Sequence, residues 1–547
     1  MQENDKNKST EKNEKNKSFV GGAIILGIAG ILIKVLGAAF RIPLANIIGD
    51  SGMGYYQTAY PIYNLFLVIA TAGIPTAISR MVSERVALDK HWEAHRVFTT
   101  SLKLLFGIGI VLSCSMFFGS QFIANLVKEP DAVWCMRATA PALLFCPLMA
   151  SFRGYFQGRQ NMNPTAVSQV VEQIFRVAIG LALAIFLVPK GLNIAAAGAN
   201  FGASAGGVFG CIGILLIYLK KKPQIDGELA SVPKTNEQGA GEILKDILII
   251  AIPITIGAAV MPIINTIDTV IVKTRLISIG YSSDIARGLY GQLSGMAAPL
   301  INFPQVLTQA VSMSLVPVVA SAHKRGELGF MRDNIALGLR YALIISTPCA
   351  FGMMFLAKPI MLLLYPLQRE SAISAAGCLA ILAVGIIFLA SVQTLTGILQ
   401  GIGKQLIPVR NLCIGALVKV VTTYILTGIP AINVEGAAIG TVCAYLTAAV
   451  LNLAAVKKYT GAVIDIKLTL LKPVMSSLVM GCFALAAQKI LVGALGNAVS
   501  TLVGVGIGVI MYLFMVLKTG TLTVEELSGM PKGHKLVSIL KKLKIVK

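Results

Sequence analysis

The stretch RGYFQGRQNMNP, from Arg153 to Pro164, returns in altered form as TGILQGIGKQLIP, from Thr396 to Pro408. Both copies contain G-x-x-Q-G, and in both a proline follows a few polar residues, where it can open the next helix. Each copy lies at the inner end of an apolar run, the fourth and the tenth of the chain. Because six runs separate the copies, both have the same orientation. The pattern predicts a parallel repeat of two halves about an axis along the membrane normal, with a substrate site between them.

A second pair of motifs supports the repeat. Gly198-x-x-x-Gly202 in the sixth run is matched by Gly436-x-x-x-Gly440 in the twelfth. Glycines four residues apart lie on one face of a helix and let a neighbouring membrane helix approach closely. We therefore expect the same helix pair to pack tightly in each half.

The composition places the chain in a membrane. Of its 547 residues, 55% are hydrophobic and 13% are charged, against roughly 25% charged residues in soluble domains. The net charge of +22 is carried mainly by short connections and the two tails, which is the pattern of membrane orientation signals. This distribution argues against nucleic acid as a partner and predicts contact with membrane lipids.

The apolar runs predict an all-α polytopic membrane protein with about fourteen transmembrane helices, since ~20 residues cross the hydrocarbon core. Two six-helix lobes related by the repeat would be followed by two C-terminal helices. The predicted spans lie near residues 19–40, 57–80, 98–120, 133–153, 165–188, 195–219, 243–272, 288–320, 333–356, 373–399, 407–428, 434–456, 470–492 and 497–518.

The positions of Lys and Arg give the orientation and the domain organisation. They concentrate in alternate connections, which predicts a multi-pass protein of the bacterial cytoplasmic membrane with both termini cytoplasmic. The predicted organisation is a disordered tail (1–18), an N-lobe (19–219), a cytoplasmic linker (220–242), a C-lobe (243–456), two further helices (457–518) and a basic cytoplasmic tail (519–547).

Several kinds of chemistry have no sequence signal. The nine cysteines form no C-x-x-C pair, so neither a metal site nor a disulfide framework is expected. A Walker A motif is missing, which argues against ATP use by this chain. We expect a protein without catalytic residues or a cofactor, and not an enzyme. Coupling of its activity to the membrane potential, Na⁺ or H⁺ is left open.

Charged residues within the spans are the candidate site. A cation at mid-bilayer costs roughly 2.5–3.5 kcal/mol on insertion scales, so it usually faces a cavity. Lys34 and Arg41 lie in the first span, and Arg176 and Lys419 lie near the middle of the fifth and eleventh. Glu172 precedes Arg176 by four residues and can pair with it. The excess of these cations over the one acid predicts a positive cavity that suits a phosphate or pyrophosphate.

The alternative for these residues is structural. Glu172 and Arg176 can form a buried ion pair that holds helices together, and the lysines can extend to the membrane surface. Asn265 and Asp268 in the seventh span are weaker candidates, which could line the cavity or bind a coupling cation.

The segment Lys34-Val-Leu-Gly-Ala-Ala-Phe-Arg41-Ile-Pro, followed by Gly49-Asp-Ser-Gly-Met-Gly54-Tyr-Tyr-Gln57 and Tyr60-Pro61, resembles the multidrug/oligosaccharidyl-lipid/polysaccharide exporter superfamily. Within it, the chain is most similar to polysaccharide-biosynthesis proteins of the stage V sporulation protein B and MurJ type. MurJ-type proteins carry a comparable basic-VLG-x-x-Arg stretch in their first helix, implicated in binding the precursor's pyrophosphate. The resemblance assigns that role to Lys34 and Arg41, which here have one extra residue between them.

The resemblance covers most of the chain and implies a flippase. Its substrate would be an undecaprenyl-pyrophosphate-linked glycan, most simply lipid II for peptidoglycan, moved by alternating access. The eighth helix of MurJ-type proteins offers a cavity arginine, whereas residues 288–319 contain none. A flippase for another envelope polysaccharide or spore-cortex precursor, and a cation-coupled multidrug antiporter of the same superfamily, are the alternatives.

Overall fold

The computed structural model describes residues 2–230 and 238–522, and every regular element within them is a helix. Two π-helical turns, Gln292–Ala297 and Lys467–Leu471, precede α10 and α16. The α-helices are α1 (Gln2–Thr71), α2 (Ile74–Val86), α3 (His91–Leu126), α4 (Val133–Thr139), α5 (Ala142–Gly158), α6 (Asn163–Leu187), α7 (Leu192–Ala230), α8 (Ala240–Ser278), α9 (Ser283–Gly291), α10 (Ala298–Arg325), α11 (Leu328–Phe355), α12 (Ala357–Leu364), α13 (Arg369–Gly401), α14 (Leu406–Thr427), α15 (Glu435–Thr460) and α16 (Lys472–Lys518).

Many of these helices expose large apolar side chains, among them Phe118, Phe186 and Ile490. Exposed apolar surface on this scale requires an apolar environment. Twelve helical runs in the described residues are long and apolar enough to cross a membrane. The all-helical membrane architecture expected from the sequence is confirmed, whereas the count of fourteen crossings is not.

Two of the twelve runs, Leu32–Val86 and Lys467–Lys518, contain 55 and 52 residues. The second of them folds back at Gly496, whose backbone leaves the helical region (φ 70°, ψ 172°). A Cβ on Gly504 would lie 2.9 Å from the carbonyl oxygen of Ala484, although a straight helix would separate these residues by about 30 Å. α16 therefore consists of two antiparallel arms.

The first helix turns in the same way at Gly49 (φ 67°, ψ −172°). The ring centroids of Phe40 and Tyr56, on either side of the turn, are 6.1 Å apart, whereas a straight helix would place these residues about 24 Å apart along its axis. Counting each arm of α1 and α16 as a crossing would raise twelve to fourteen, which stays a prediction.

The chain divides into two compact units, Met1–Val270 and Ile271–Lys547. In the first unit, the G-x-x-Q-G segment of α5 packs against the backbone of α2. A Cβ on Gly154 would lie 2.8 Å from the Pro75 carbonyl oxygen, and a Cβ on Gly158 would lie 2.7 Å from that of Ser79. Glycine is needed at both positions because the neighbouring backbone cannot give way.

The second unit repeats this contact between α13 and α10. A Cβ on Gly397 would lie 3.0 Å from the Ser312 carbonyl oxygen, and a Cβ on Gly401 would lie 3.0 Å from that of Val316. The two carbonyl groups are again four residues apart, as in the first unit. The repeated motif thus performs the same packing task in each unit.

The other repeated glycines also have equivalent neighbours. A Cβ on Gly202 of α7 would lie 2.5 Å from the carbonyl oxygen of Arg176 on α6. A Cβ on Gly440 of α15 would lie 3.2 Å from the carbonyl oxygen of Lys419 on α14. Arg176 and Lys419 therefore occupy corresponding places in the two units, as the repeat predicts.

The connections differ in detail from the expected organisation. α7 continues beyond residue 219 to Ala230, so the first part of the expected linker is helical, and Ile225 within it is 3% exposed. α1 begins at Gln2, and its Lys- and Glu-rich start has good local helix propensity. Residues 231–237, and the basic tail after Leu522, lie outside the described residues.

Candidate functional site

Glu172 lies between two arginines in the first unit. Its Oε2 is 3.0 Å from Nη2 of Arg153, and its Oε1 is 3.3 Å from Nη2 of Arg176. All three side chains are only 16–17% exposed. The expected pair of Glu172 with Arg176 is therefore present, and it is one half of a three-residue network with a net charge of +1.

Arg153 is the member of this network that the sequence analysis did not single out. The sequence places it at the end of the fourth predicted span; in the structure it lies within α5 and reaches Glu172 on α6. Because the contact joins two helices, no fixed spacing along the chain predicts it. Its Nε also donates to Ser168 Oγ at 2.9 Å, which fixes the guanidinium against α6.

Arg41 lies beside a row of tyrosines on the second arm of α1. Its guanidinium carbon is 5.6 Å from the centroid of the Tyr60 ring, within the range of a cation–π contact. Tyr60 stacks on Tyr56 with the centroids 5.8 Å apart, and Tyr63 follows at 6.1 Å. Tyr56 interacts electrostatically with both Arg41 and Arg176. The row thus connects the two arginines.

We call the set Arg41, Arg153, Glu172, Arg176, Tyr56, Tyr60 and Tyr63 the arginine–tyrosine cluster. Packing of α1 and α7 on the two sides of α6 holds it in place. Gly37 of α1 approaches Gln173, and Gly180 of α6 approaches the ring of Phe40. On the other side, a Cβ on Gly206 of α7 would lie 2.5 Å from the carbonyl oxygen of Glu172. These close approaches fix the height of α6 relative to its neighbours.

The cluster offers hydrogen-bond donors and positive charge. Three guanidinium groups and one carboxylate give it a net charge of +2. Guanidinium groups bind carboxylate and phosphate through paired N–H donors. In a membrane-spanning region such charges are costly to keep unless they serve binding or transport. The arrangement is suited to an anionic ligand.

The remaining residues predicted from the sequence are more scattered. Lys34 is exposed on the first arm of α1, Asn265 is exposed on α8, and Asp268 is half-buried on the same helix. Lys419, in the second unit, is 8% exposed. Their roles, and those of the clustered residues, stay predictions.

Lys419 stands in a different setting from Arg176. The residue four positions before it is Gly415, where the first unit has Glu172. A Cβ on Gly415 would lie 2.6 Å from the carbonyl oxygen of Ala444, so a longer side chain has no room there. Nearby, Asn411 donates to Asn452 Oδ1 at 2.9 Å. Amides in the second unit thus lie where the first unit has an ion network.

Buried cations of the second unit, among them Lys273 and Arg340, were also not predicted from the sequence. Lys273, at 2% exposure, has its Nζ 5.6 Å from the centroid of the Tyr290 ring. Arg340 donates its Nε to the carbonyl oxygen of Thr521 at 2.9 Å, beyond the end of α16. Both contacts join separate elements of the chain, and the second spans 181 residues. In the described residues, no group of three or more His, Cys, Asp and Glu side chains is arranged to hold a metal ion.

A helical fold repeated in two units, with charges buried in its membrane-spanning helices, defines a multi-pass membrane transporter. The chain belongs to the polysaccharide biosynthesis protein family, whose profile matches residues 19–323, within the multidrug/oligosaccharidyl-lipid/polysaccharide exporter superfamily. A second profile, MatE, matches residues 294–425. Proteins of this superfamily are transporters and flippases, so the protein is not an enzyme.

Similar proteins from Bacillus subtilis (strain 168) extend over most of the chain. An uncharacterized membrane protein, YabM, is 29% identical over 95% of this chain and 96% of its own. Lipid II flippase MurJ is 26% identical over 93% and 96%, respectively. Stage V sporulation protein B is 25% identical over 82% of this chain and 86% of its own.

Solved structures share the fold. Lipid II flippase MurJ in an inward closed conformation has a TM-score of 0.66 at 19% identity, over 90% of this chain and 98% of its own. An inward-facing multidrug resistance transporter of the MATE family has a TM-score of 0.64 at 16% identity, over 78% and 98%. Both folds therefore match the one expected from the sequence.

Proposed function

We propose that the protein flips an undecaprenyl-pyrophosphate-linked glycan precursor, with lipid II for peptidoglycan as the leading substrate, across the bacterial cytoplasmic membrane. Transport would proceed by alternating access, from the cytoplasmic to the outer leaflet, with both termini of the protein in the cytoplasm. Family membership and the similarity to a lipid II flippase over most of both chains support this proposal.

The observation that carries the proposal is the excess positive charge of the arginine–tyrosine cluster. Arg41, Arg153 and Arg176 share one carboxylate, that of Glu172, among the cluster's own residues. A pyrophosphate could complete their coordination through charge-assisted hydrogen bonds. Lys34, exposed on the same helix as Arg41, would meet the headgroup on entry. Lys419, Asn265 and Asp268 are proposed as further cavity residues.

The energy for outward transport is available without a nucleotide. An inside-negative potential favours outward movement of negative charge by about 2.3 kcal/mol per charge per 100 mV. The pyrophosphate would carry that charge. Coupling to Na⁺ or H⁺ is the alternative source, and Asp268 would be its candidate ligand.

A cation-coupled multidrug antiporter is the second candidate function. It is favoured by the MatE profile over residues 294–425 and by the similarity to a multidrug transporter fold. Cationic drugs are recognised by acidic side chains, however, and the arginine–tyrosine cluster has the opposite charge. We therefore place lipid-linked anion export first.

The test is complementation in a bacterium whose own lipid II flippase can be depleted. Lipid II in the outer leaflet is quantified, together with growth, for the wild type and for Arg176→Ala and Lys34→Ala. Lys103→Ala is the matched control, because Lys103 is an exposed cation on α3 outside the cluster. Membrane levels of each variant are measured in parallel.

We expect the wild type and Lys103→Ala to restore growth and surface lipid II, and the other two variants to fail at equal membrane levels. If a well-expressed wild type restores neither, lipid II is excluded as the substrate. Other envelope glycans, including a spore-cortex precursor, are then tested. Increased resistance of the expressing strain to cationic dyes would favour the antiporter instead.

A further inference from the structure

Glu172 holds its two arginines unequally. Arg153 contacts Glu172 Oε2 at 3.0 Å, Ser168 Oγ at 2.9 Å and the sulfur of Met149 at 3.0 Å. Arg176 reaches Glu172 Oε1 through Nη2 at 3.3 Å. Its Nε is buried and has no hydrogen-bond partner within the described part of the chain. Arg153 is therefore firmly held, whereas Arg176 keeps an unused donor.

An unused Nε next to a weakly held Nη is the donor pair that a phosphoryl group needs. Arginine binds phosphate most strongly through two parallel N–H donors. On Arg176 one such donor is open, and the neighbouring one is occupied by the longer of the two Glu172 contacts. A phosphoryl oxygen and the Glu172 carboxylate therefore compete for the same guanidinium.

We propose that Glu172 is an exchangeable counterion that is replaced by a phosphoryl oxygen on Arg176 while it remains bound to Arg153. This inference rests on the proposed function, since it assumes that the cargo carries a phosphate or pyrophosphate. The exchange begins with a rotation of the Arg176 side chain away from Glu172. No proton transfer and no covalent step are involved.

The counterion also explains how the cargo leaves. A buried guanidinium without a negative partner is unfavourable in a membrane-spanning segment. When the phosphoryl group departs, the Glu172 carboxylate returns to Arg176 and restores its partner. Glu172 thereby lowers the affinity for the anion and makes its release faster.

The test is pyrophosphate binding to the purified full-length protein in nanodiscs of zwitterionic lipid, measured by calorimetry. The probes are inorganic pyrophosphate and farnesyl pyrophosphate. Glu172→Gln should bind both about tenfold more tightly, the change expected when a charge-assisted hydrogen bond no longer has to be broken. Arg176→Gln should lose binding. Glu84→Gln, at the exposed Arg80–Glu84 pair, is the matched control and should bind as the wild type does.

Arg153 provides a second, independent variant. In Arg153→Gln, Glu172 keeps only Arg176 as its partner, so the two should pair more tightly and pyrophosphate should bind more weakly. In the double variant with Glu172→Gln this effect should disappear, because the competing carboxylate is gone. Such non-additivity is the signature of a shared partner.

Transport separates this role from a structural one. Glu172→Gln should raise pyrophosphate affinity and lower the rate of precursor export, whereas loss of a structural ion pair would lower both. Unchanged or weaker binding by a monodisperse Glu172→Gln protein overturns the proposal, and so does unmeasurable binding to both proteins. If the wild type exports precursor and Glu172→Gln does not bind more tightly, the counterion role fails and the flippase function stands. If the wild type exports no lipid-linked glycan, the function fails whatever the binding result.

Discussion

Gly202 of α7 faces the carbonyl oxygen of Arg176 on α6 so closely that a Cβ on the glycine would lie 2.5 Å from that oxygen. The Cα of Gly180, one turn further along α6, would be 2.8 Å from the same Cβ. Both neighbours are backbone atoms of one helix, and they cannot rotate away as a side chain can. The packing of α7 therefore fixes where Arg176 stands.

Gly202→Ala should separate α6 from α7 and destabilise the protein by about 1–3 kcal/mol, the usual cost of overpacking. The measurement is the midpoint of thermal unfolding of the detergent-solubilised protein. Gly213→Ala on the same helix is the control, because its Cβ would meet Val171 Cγ1 at an ordinary 3.7 Å. Equal midpoints for the two variants would contradict this account.

The corresponding change in the second unit should be milder. A Cβ on Gly440 would clash most closely with the Thr423 hydroxyl, and would lie 3.2 Å from the Lys419 carbonyl oxygen. A hydroxyl can rotate, so Gly440→Ala should cost less than Gly202→Ala in the same thermal assay. When Gly440→Ala is introduced into the Thr423→Ala variant, the destabilisation that it causes should be smaller still. A larger loss for Gly440→Ala than for Gly202→Ala would show that the two packings are not equivalent.

The turn in α16 depends on a backbone conformation that is almost confined to glycine. Gly496 has φ 70° and ψ 172°, where other residues are strained by about 1–3 kcal/mol. Gly496→Ala should therefore destabilise the protein although its side chain would meet open space. Gly493→Ala is the control: it also meets open space, and in a helix alanine is favoured by about 1 kcal/mol. A chemical unfolding series of both variants decides the prediction, and similar midpoints would refute it.

These positions show how far the sequence led. The repeat was visible because Gly154, Gly158, Gly397 and Gly401 recur in a local pattern, and the structure gives them equivalent neighbours. The apolar runs and the Glu172–Arg176 pair follow from length and from helical spacing. Such features need no knowledge of which helices are adjacent.

What was missed depends on tertiary packing. Arg153 meets Glu172 across α5 and α6, and Lys273 meets Tyr290 across α8 and α9. Neither contact has a fixed sequence separation from which it could be predicted. The turns at Gly49 and Gly496, by contrast, lie between spans that the sequence predicts as separate, 19–40 and 57–80 in the first case and 470–492 and 497–518 in the second. The charged residues within the spans were therefore easier to predict than the residues that they contact.

The contact of Arg41 with Tyr60 predicts a measurable coupling. A cation–π pair of this kind contributes about 0.5–2 kcal/mol. Tyr60→Phe keeps the ring and should keep both thermal stability and export, whereas Tyr60→Leu should lower both. In a double-mutant cycle with Arg41→Gln, the two losses should be less than additive. Fully additive losses would mean that the guanidinium and the ring do not interact.

The C-terminal end of α7 predicts a docked segment rather than a free linker. Ile225 is 3% exposed, and Glu228 pairs with Arg159, which in turn donates to Tyr155 Oη at 2.9 Å. Burial of an isoleucine side chain contributes about 1.5–3 kcal/mol. Ile225→Asp should therefore release residues 220–230 from the end of α5.

Hydrogen exchange followed by mass spectrometry measures this release. Ile225→Asp should raise the exchange of residues 220–230 by roughly tenfold or more, in proportion to the lost burial energy. Ala230→Asp makes the same charge change at an exposed position of the same helix and should leave the exchange unchanged. Arg159 directly follows the repeated G-x-x-Q-G motif. The docked segment therefore contacts the first unit at the end of α5, next to that motif. Rapid exchange of these residues in the wild type would show that the segment is not docked.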